Sequence, residues 1–339
     1  MRKKVISLFC AILLMPVASA HTNLSENGAA NSYVVSECGK YSFKAVKGNG
    51  ECPVRDVFSC EVLWESFGTS ESPVPGELIY DVSCDKDYVY MTVPEPFRRG
   101  NAVIAAKDKS GNILWSWHIW LTDKPDGLEL VNGDVIMDRN IGAVSTDASS
   151  AESYGLLYQW GRKDPFPGTS VRDDKTPVAT TVEWPAPQKS DEYVGTIDYA
   201  VAHPLTFITY NILNYDWQYV QDDTRWGESK SVYDPCPQGW KVPSNCFGGV
   251  TSYFEHPFSG VGIDFCGKFS FSENVWFPAT GYRYYYDGTL FSPGLYGSYW
   301  LSGTEECHAD YMFFYFSSGV YPRRQSPRAN AYSVRCVAE

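Results

Sequence analysis

Short runs of alternating apolar and polar residues, broken by Gly, Pro, Asn or Ser, dominate this chain. Between residues 21 and 121 five such runs stand out: Tyr33-Val-Val, Tyr41-Ser-Phe-Lys-Ala-Val, Glu61-Val-Leu-Trp, Leu78-Ile-Tyr-Asp-Val and Tyr88-Val-Tyr-Met-Thr-Val. β-Branched and aromatic side chains fill them, which suits a pleated, half-buried surface, and no 3.6-residue stripe competes. Arg99–Lys107 and Ile113–Trp120 then flank Asp108-Lys-Ser-Gly-Asn112, a turn whose Gly and Asn tolerate positive φ, so a hairpin is expected there. Strands spaced this regularly predict a small β-sandwich. Thr122-Asp-Lys-Pro-Asp-Gly127 reads as a boundary, placing the sandwich at 21–123 and a second domain at 124–339.

The second domain opens with Val135-Ile-Met-Asp-Arg-Asn-Ile-Gly-Ala143, a strand running into a turn. Gly155–Gly168 is expected to begin as one short helix that Asp164-Pro165 must end. From Thr169 to Lys230 the chain is long, polar and turn-rich, yet carries Trp184, Tyr193, Tyr199, Tyr210, Tyr215, Trp217, Tyr219 and Trp226. Loops of that length are usually functional or disordered, and this aromatic density argues against disorder. Strand-like segments follow at Val275-Trp-Phe-Pro-Ala, at Tyr282–Tyr286 with its Asp287-Gly288 turn, at Gly297–Thr304 and at Tyr311–Phe316.

The first twenty residues stand apart. A basic start (Arg2-Lys3-Lys4), a short apolar core and Ala18-Ser19-Ala20 read as an export signal at 1–20, with His21 the first residue after cleavage. No later stretch approaches 18 uninterrupted apolar residues, so no integral membrane protein is expected. The chain has 28 Lys and Arg against 40 Asp and Glu, a net charge of −12, and cleavage would remove three of the basic residues. An acidic balance of this kind argues against nucleic acid as partner.

Export places the cysteines in an oxidising compartment. Ten cysteines less Cys10 of the leader leave an odd number, so at least one thiol is free or intermolecular. In Ser231-Val-Tyr-Asp-Pro-Cys-Pro-Gln-Gly-Trp-Lys-Val-Pro-Ser244 the prolines around Cys236 hold the backbone extended. Ser333-Val-Arg-Cys336-Val reads as an alternating terminal strand, and pairing Cys236 with Cys336 would tie it to the middle of its own domain. For the first domain the preferred pairing is Cys38–Cys84 with Cys52–Cys60, one of three connectivities open to four cysteines. Cys246, Cys266 and Cys307 would then give one disulfide and one free thiol.

Candidate chemistry is sparse. The chain has no Gly-x-Ser-x-Gly, His-Glu-x-x-His, phosphate loop or clustered zinc-ligand spacing, so neither an enzyme, a metal nor a cofactor is expected. His118 has no second histidine near it and reads as a half-buried strand residue; Asp138 and the adjacent Arg139 read as a structural ion pair. Asp173-Asp174 and Asp222-Asp223 are neighbours in a polar loop, not two carboxyls facing across a substrate. What remains is the aromatic loop. Exposed Trp and Tyr faces stack on sugars or anchor protein interfaces at little entropic cost. Trp184, Tyr215, Trp217 and Trp226 are therefore the candidate ligand-binding residues. For each the alternative is a place in the loop's own core, most of all for Trp226.

Taken together, Trp115-Ser-Trp-His-Ile-Trp, Met137-Asp-Arg-Asn-Ile-Gly-Ala, Leu157-Tyr-Gln-Trp-Gly-Arg-Lys-Asp-Pro-Phe, Tyr233-Asp-Pro-Cys-Pro-Gln-Gly-Trp-Lys-Val-Pro, Phe277-Pro-Ala-Thr-Gly-Tyr-Arg, Tyr299-Trp-Leu-Ser and Ser333-Val-Arg-Cys-Val resemble the Fibrobacter succinogenes major paralogous domain of exported Bacteroidetes proteins. The resemblance covers roughly residues 113–337. It implies an α+β, strand-rich fold: an N-terminal β-sandwich followed by a C-type lectin-like domain related to sulfatase-modifying factors. It further implies a protein of the cell envelope or surface, in adhesion or in a fimbria-like fibre, with a glycan or surface protein as partner. The sugar-binding tripeptides of calcium-dependent lectins are missing here, and the surroundings of Cys307 do not match the motif of the sulfatase-modifying oxidases.

Overall fold

A computed structural model describes residues 21–172, 174–244, 246–250, 262–264, 275–315 and 319–339. The leader, Cys266 and the end of the run at 316–318 lie outside the described residues. The fold is mostly β, with 38% strand and 4% helix. In the first half the strands are β1 (Thr22–Asn23), β2 (Ser32–Val35), β3 (Gly39–Lys44), β4 (Ser59–Ser66), β5 (Tyr80–Cys84), β6 (Tyr88–Val93), β7 (Gly100–Lys107) and β8 (Ile113–Leu121). They form two four-stranded sheets, β1-β3-β6-β5 and β2-β8-β7-β4, closed on one apolar core. The expected β7–β8 hairpin is present, paired from Gly100–Leu121 to Lys107–Ile113.

Strand β8 serves two cores at once. Successive side chains of a strand point to opposite faces. Trp115, Trp117, Ile119 and Leu121 enter the sandwich core, while Trp120 enters a second core with Trp160, Trp226, Trp300, Cys236 and Cys336. On that same outer face Ser116 donates to Asp164 Oδ1 (2.5 Å) and Lys163 Nζ reaches Asp164 Oδ1 (2.7 Å), both acid and base buried. His118 is fully buried rather than half-buried: Nδ1 meets Ser32 Oγ and Nε2 meets Asn101 Oδ1, each at 2.9 Å. Desolvation pulls its pKa down to about 3.

The second half comprises β9 (Gly127–Glu129), β10 (Val135–Met137), β11 (Leu156–Gln159), β12 (Phe166–Pro167), β13 (Gln188–Lys189), α1 (Ile197–Ala202), β14 (Ile208–Thr209), β15 (Trp240–Lys241), β16 (Gly262–Asp264), β17 (Trp276–Pro278), β18 (Tyr282–Arg283), β19 (Leu290–Phe291), β20 (Tyr296–Glu305), β21 (His308–Tyr315), β22 (Val320–Pro327), β23 (Ala331–Ser333) and β24 (Val337–Ala338). The main sheet runs β12-β11-β23-β20-β21-β22, and the β18–β19 hairpin joins it through β23. In a smaller sheet, β15-β24-β10-β9, the last strand lies between the first strands of this half and the stretch that follows Cys236.

Two local expectations change. The segment after Gly155 is strand, not helix, preceded by a single 3₁₀ turn at Ala151–Ser153. Gly155 has φ +73°, and a Cβ there would lie 2.4 Å from the Ile141 carbonyl oxygen. All four β11 residues are buried between β12 and β23, which favours ladder pairing over a one-sided helix. The terminal strand also divides, with Cys336 between β23 and β24. Arg335 sits at the break: buried, it bonds Asn140 Oδ1 (2.8 Å) and the carbonyls of Met137 (3.2 Å) and Trp276 (2.9 Å), where the chain passes from one sheet to the other.

Cys236 and Cys336 form the expected disulfide, with Cα atoms 6.1 Å apart across 100 residues. The stretch around Cys236 is pinned twice more. Asp234 accepts from the N–H groups of Cys236 (2.8 Å) and Val242 (2.9 Å), while Asn31 of the sandwich donates to the carbonyls of Val232 and Asp234 (2.8 and 2.9 Å). At Gly48, with φ +54°, any Cβ would fall 2.0 Å from the Val232 carbonyl oxygen, so the two halves meet backbone to backbone there.

The preferred pairing in the sandwich is not found. Cys38 contacts Glu95 (3.4 Å), Cys52 is exposed, and Cys60 lies in hydrogen-bonding contact with Cys84, all four free. Cys60 and Cys84 come from β4 and β5, edge strands of opposite sheets, and which edges face each other is set by sheet order rather than by spacing along the chain. Cys246 and Cys307 are free as well.

Two measurements check this architecture. Replacing Cys236 and Cys336 together by Ala should lower the unfolding free energy by up to ~4.7 kcal/mol, the loop-entropy limit for about 100 residues; chemical denaturation reads the loss. His118 is neutral in the fold and protonates more readily unfolded, so its contribution is complete above about 6.5 and is lost as pH falls toward 3. The stability advantage of the native chain over His118→Gln should therefore shrink below pH ~6.5, by at most ~1.4 kcal/mol per pH unit.

Candidate ligand cleft

The long aromatic segment does not act as one surface. Residues 179–181 dock on the exposed edge of β4: Thr181 N donates to the Glu65 carbonyl (3.0 Å), Glu65 N to Thr181 Oγ1 (3.0 Å) and Ala179 N to the Thr69 carbonyl (2.9 Å). Trp184 follows, its ring against Trp64 (5.8 Å) and Phe166 (5.9 Å) and its Nε1 donating to Thr180 Oγ1 (3.0 Å). Packing on those rings fixes its orientation and leaves it half-buried at the wall of a cleft of ≈ 810 Å³.

The β18–β19 hairpin supplies the opposite wall. Arg283 of β18 is held by its own neighbours, Nε donating to the Pro167 carbonyl and Nη1 to the Gly288 carbonyl, both at 2.9 Å. No carboxylate among the described residues pairs with it; half-buried, it loses enough water for desolvation to pull its pKa down to about 10. Lys175 lines the same cleft, its Nζ 5.4 Å from the Phe291 ring centroid, with Glu183 as the one acidic lining residue. Val178, Val182 and Leu290 make the floor apolar.

A second cleft of ≈ 440 Å³ lies along the same two segments, between Pro187 and Lys189 on one side and Tyr286 and Asp287 on the other. Tyr210 lines it, stacked on Tyr286 (5.7 Å) and, from behind, on Tyr215 (5.6 Å, rings 8° apart). The two clefts thus share the 182–189 segment and the hairpin.

Of the four ring residues singled out from sequence, Trp184 lines the first of these clefts and the other three line neither. Tyr215 is exposed but stands behind Tyr210, also facing His308 at 6.3 Å. Trp217 and Trp226 are buried framework, which corrects their assignment as ligand-stacking faces. Trp217 Nε1 donates to the Trp160 carbonyl (2.7 Å), with Arg162 over its ring at 5.6 Å, and Trp226 Nε1 donates to the Tyr233 carbonyl (2.9 Å). Sequence reasoning missed Arg283, Lys175, Tyr210 and Tyr286. The Asp287-Gly288 turn marked the hairpin of Arg283 and Tyr286 but not what it faces.

The remaining candidates fall into place around this site. Asp138 and Arg139 form the expected ion pair (2.8 Å), joined by Asp123 at 2.8 Å. Asp222 and Asp223 pair with Arg225 (3.0 Å) and Arg328 (2.6 Å). Behind Trp217, burial raises the Asp216 carboxyl to about 7, beside Arg328 at 3.6 Å. Cys307 lies in the β20–β21 turn with Sγ 3.2 Å from His308 Nδ1. Among the described residues no group of three or more His, Cys, Asp or Glu is placed to hold a metal ion, and no helix is long and apolar enough to cross a membrane. No family model, curated protein or solved structure matches the chain.

Proposed function

We propose that this protein is an exported, non-catalytic binding module that recognises a glycan, with the cleft walled by Trp184 and the β18–β19 hairpin as its site. One observation carries the reading: an anchored tryptophan faces an open apolar floor, and a second aromatic-lined cleft continues along the same segments. Sugar rings present flat C–H faces that stack on aromatic side chains, and a rigid ring loses little entropy on binding. Membership of the Fibrobacter succinogenes major paralogous domain family, with a C-type lectin-like second domain, is part of the same proposal. Its support is the seven sequence blocks together with a last strand that joins the first strands of its half in one sheet.

A protein partner, as in a fibre subunit, is the second reading. It is favoured by the exposed Ile212, Leu213 and Val220 beside Tyr215, 67%, 76% and 77% accessible. A glycan array probed with the secreted protein, with and without calcium, separates the two. Under the lectin reading Trp184→Ala should fold and lose binding on the order of 10- to 100-fold. Trp217→Ala should instead cost ~3–5 kcal/mol of stability as a core deletion. A blank array with folded protein overturns the glycan reading in favour of a protein partner.

A further inference from the structure

The charge of the first cleft is at odds with that of the chain. The protein carries −12 overall. Yet Arg283 and Lys175 face this cleft against the single acid Glu183. Arg283 is the unusual member: it is half-buried and lines the cleft. Cations withdrawn from water are ordinarily paired, because desolvation is costly without an opposite charge. The more deeply buried arginines turn to partners within the protein. Arg139 has Asp123 and Asp138, Arg328 has Asp216 and Asp223, and Arg162 is surrounded by Gln159, Thr206 and Ala200.

Arg283 meets no carboxylate among the described residues and spends only Nε and Nη1 on carbonyls. Its Nη2 has no protein partner among the described residues and lies on a side chain that lines the cleft. The two carbonyl bonds also hold the guanidinium in place before any ligand arrives, so little is lost in ordering it. A planar guanidinium with free N–H groups matches a carboxylate better than it matches a hydroxyl.

We propose that the cleft takes an acidic saccharide, a sugar whose ring packs on Trp184 while its carboxylate pairs with Arg283. This rests on the glycan reading above and adds its chemical class. Oligosaccharides long enough to pass the shared hairpin would reach the second cleft beside Tyr210 and Tyr286.

The test uses the full secreted protein on an array holding uronic-acid oligosaccharides, the same oligosaccharides after carboxyl reduction to the neutral sugars, and sulfated neutral counterparts. The carboxylated forms should bind on the order of 10- to 100-fold tighter than their reduced twins, the range expected for a charge-assisted contact. Added salt should weaken binding. Arg283→Met should erase the preference, and Arg283→Lys should restore it only in part, since it keeps the charge but not the fork. Because Arg283 also secures two carbonyls, the comparison of carboxylated and reduced ligands on the unaltered protein decides the matter even if the variants do not fold. Equal binding of acid and reduced forms overturns this inference and leaves the glycan reading standing. Preference for sulfated over carboxylated ligands overturns the carboxylate assignment, and no binding to any glycan overturns both.

Discussion

The structure depends on one sheet having no free face. β2-β8-β7-β4 is covered on one side by the partner sheet of the sandwich and on the other by the second half of the chain. An antiparallel sheet with one solvated face needs only alternation of apolar and polar residues. A sheet covered on both faces must also satisfy every polar group it turns toward its second neighbour. β8 does so with Ser116 on Asp164 and His118 between Ser32 and Asn101. The odd-numbered tryptophans fill one core and Trp120 the other.

Indole nitrogens bond backbone carbonyls at this junction and within the second half. Trp120 donates to the Ala143 carbonyl, Trp160 to Leu301, Trp217 to Trp160 and Trp300 to Tyr158. Each buries a large apolar surface and also donates to a backbone carbonyl. With so little helix and so many two- and three-residue strands, much of the backbone bonding falls to side chains, tryptophan, arginine, asparagine and glutamine among them. Much of the sequence in the seven quoted blocks is framework: Arg162, Lys163, Asp164 and Arg335 are buried and line neither cleft, whereas Arg283, at the end of its block, does line one.

The cleft comes from a different circumstance. β4 is an edge strand, and exposed edges invite pairing. Here the chain's own residues 179–181 occupy that edge and carry Trp184 out beside it. The cleft is thus built where one half of the molecule covers the other half's edge, with the β18–β19 hairpin closing the opposite side.

Alternation, turn chemistry and composition by themselves determined that this chain is strand-rich and where the β7–β8 and β18–β19 hairpins turn, and they made Cys236 with Cys336 the expected pair. The first two are written locally; the disulfide, across 100 residues, needed the fold to bring its ends together. What sequence could not decide was which surface a side chain sees. Trp184, Trp217 and Trp226 are alike as sequence, aromatic residues in one polar loop, and only packing separates the one on a cleft wall from the two in cores. Cys60 lies beside Cys84 rather than Cys52, both still free thiols, because sheet order, not chain distance, chooses which edges face. Arg283 stood at the end of one quoted block and in a predicted strand, but nothing in the sequence marked it as a cleft residue, since an arginine becomes notable only when the fold sets it at a cleft and supplies no opposite charge.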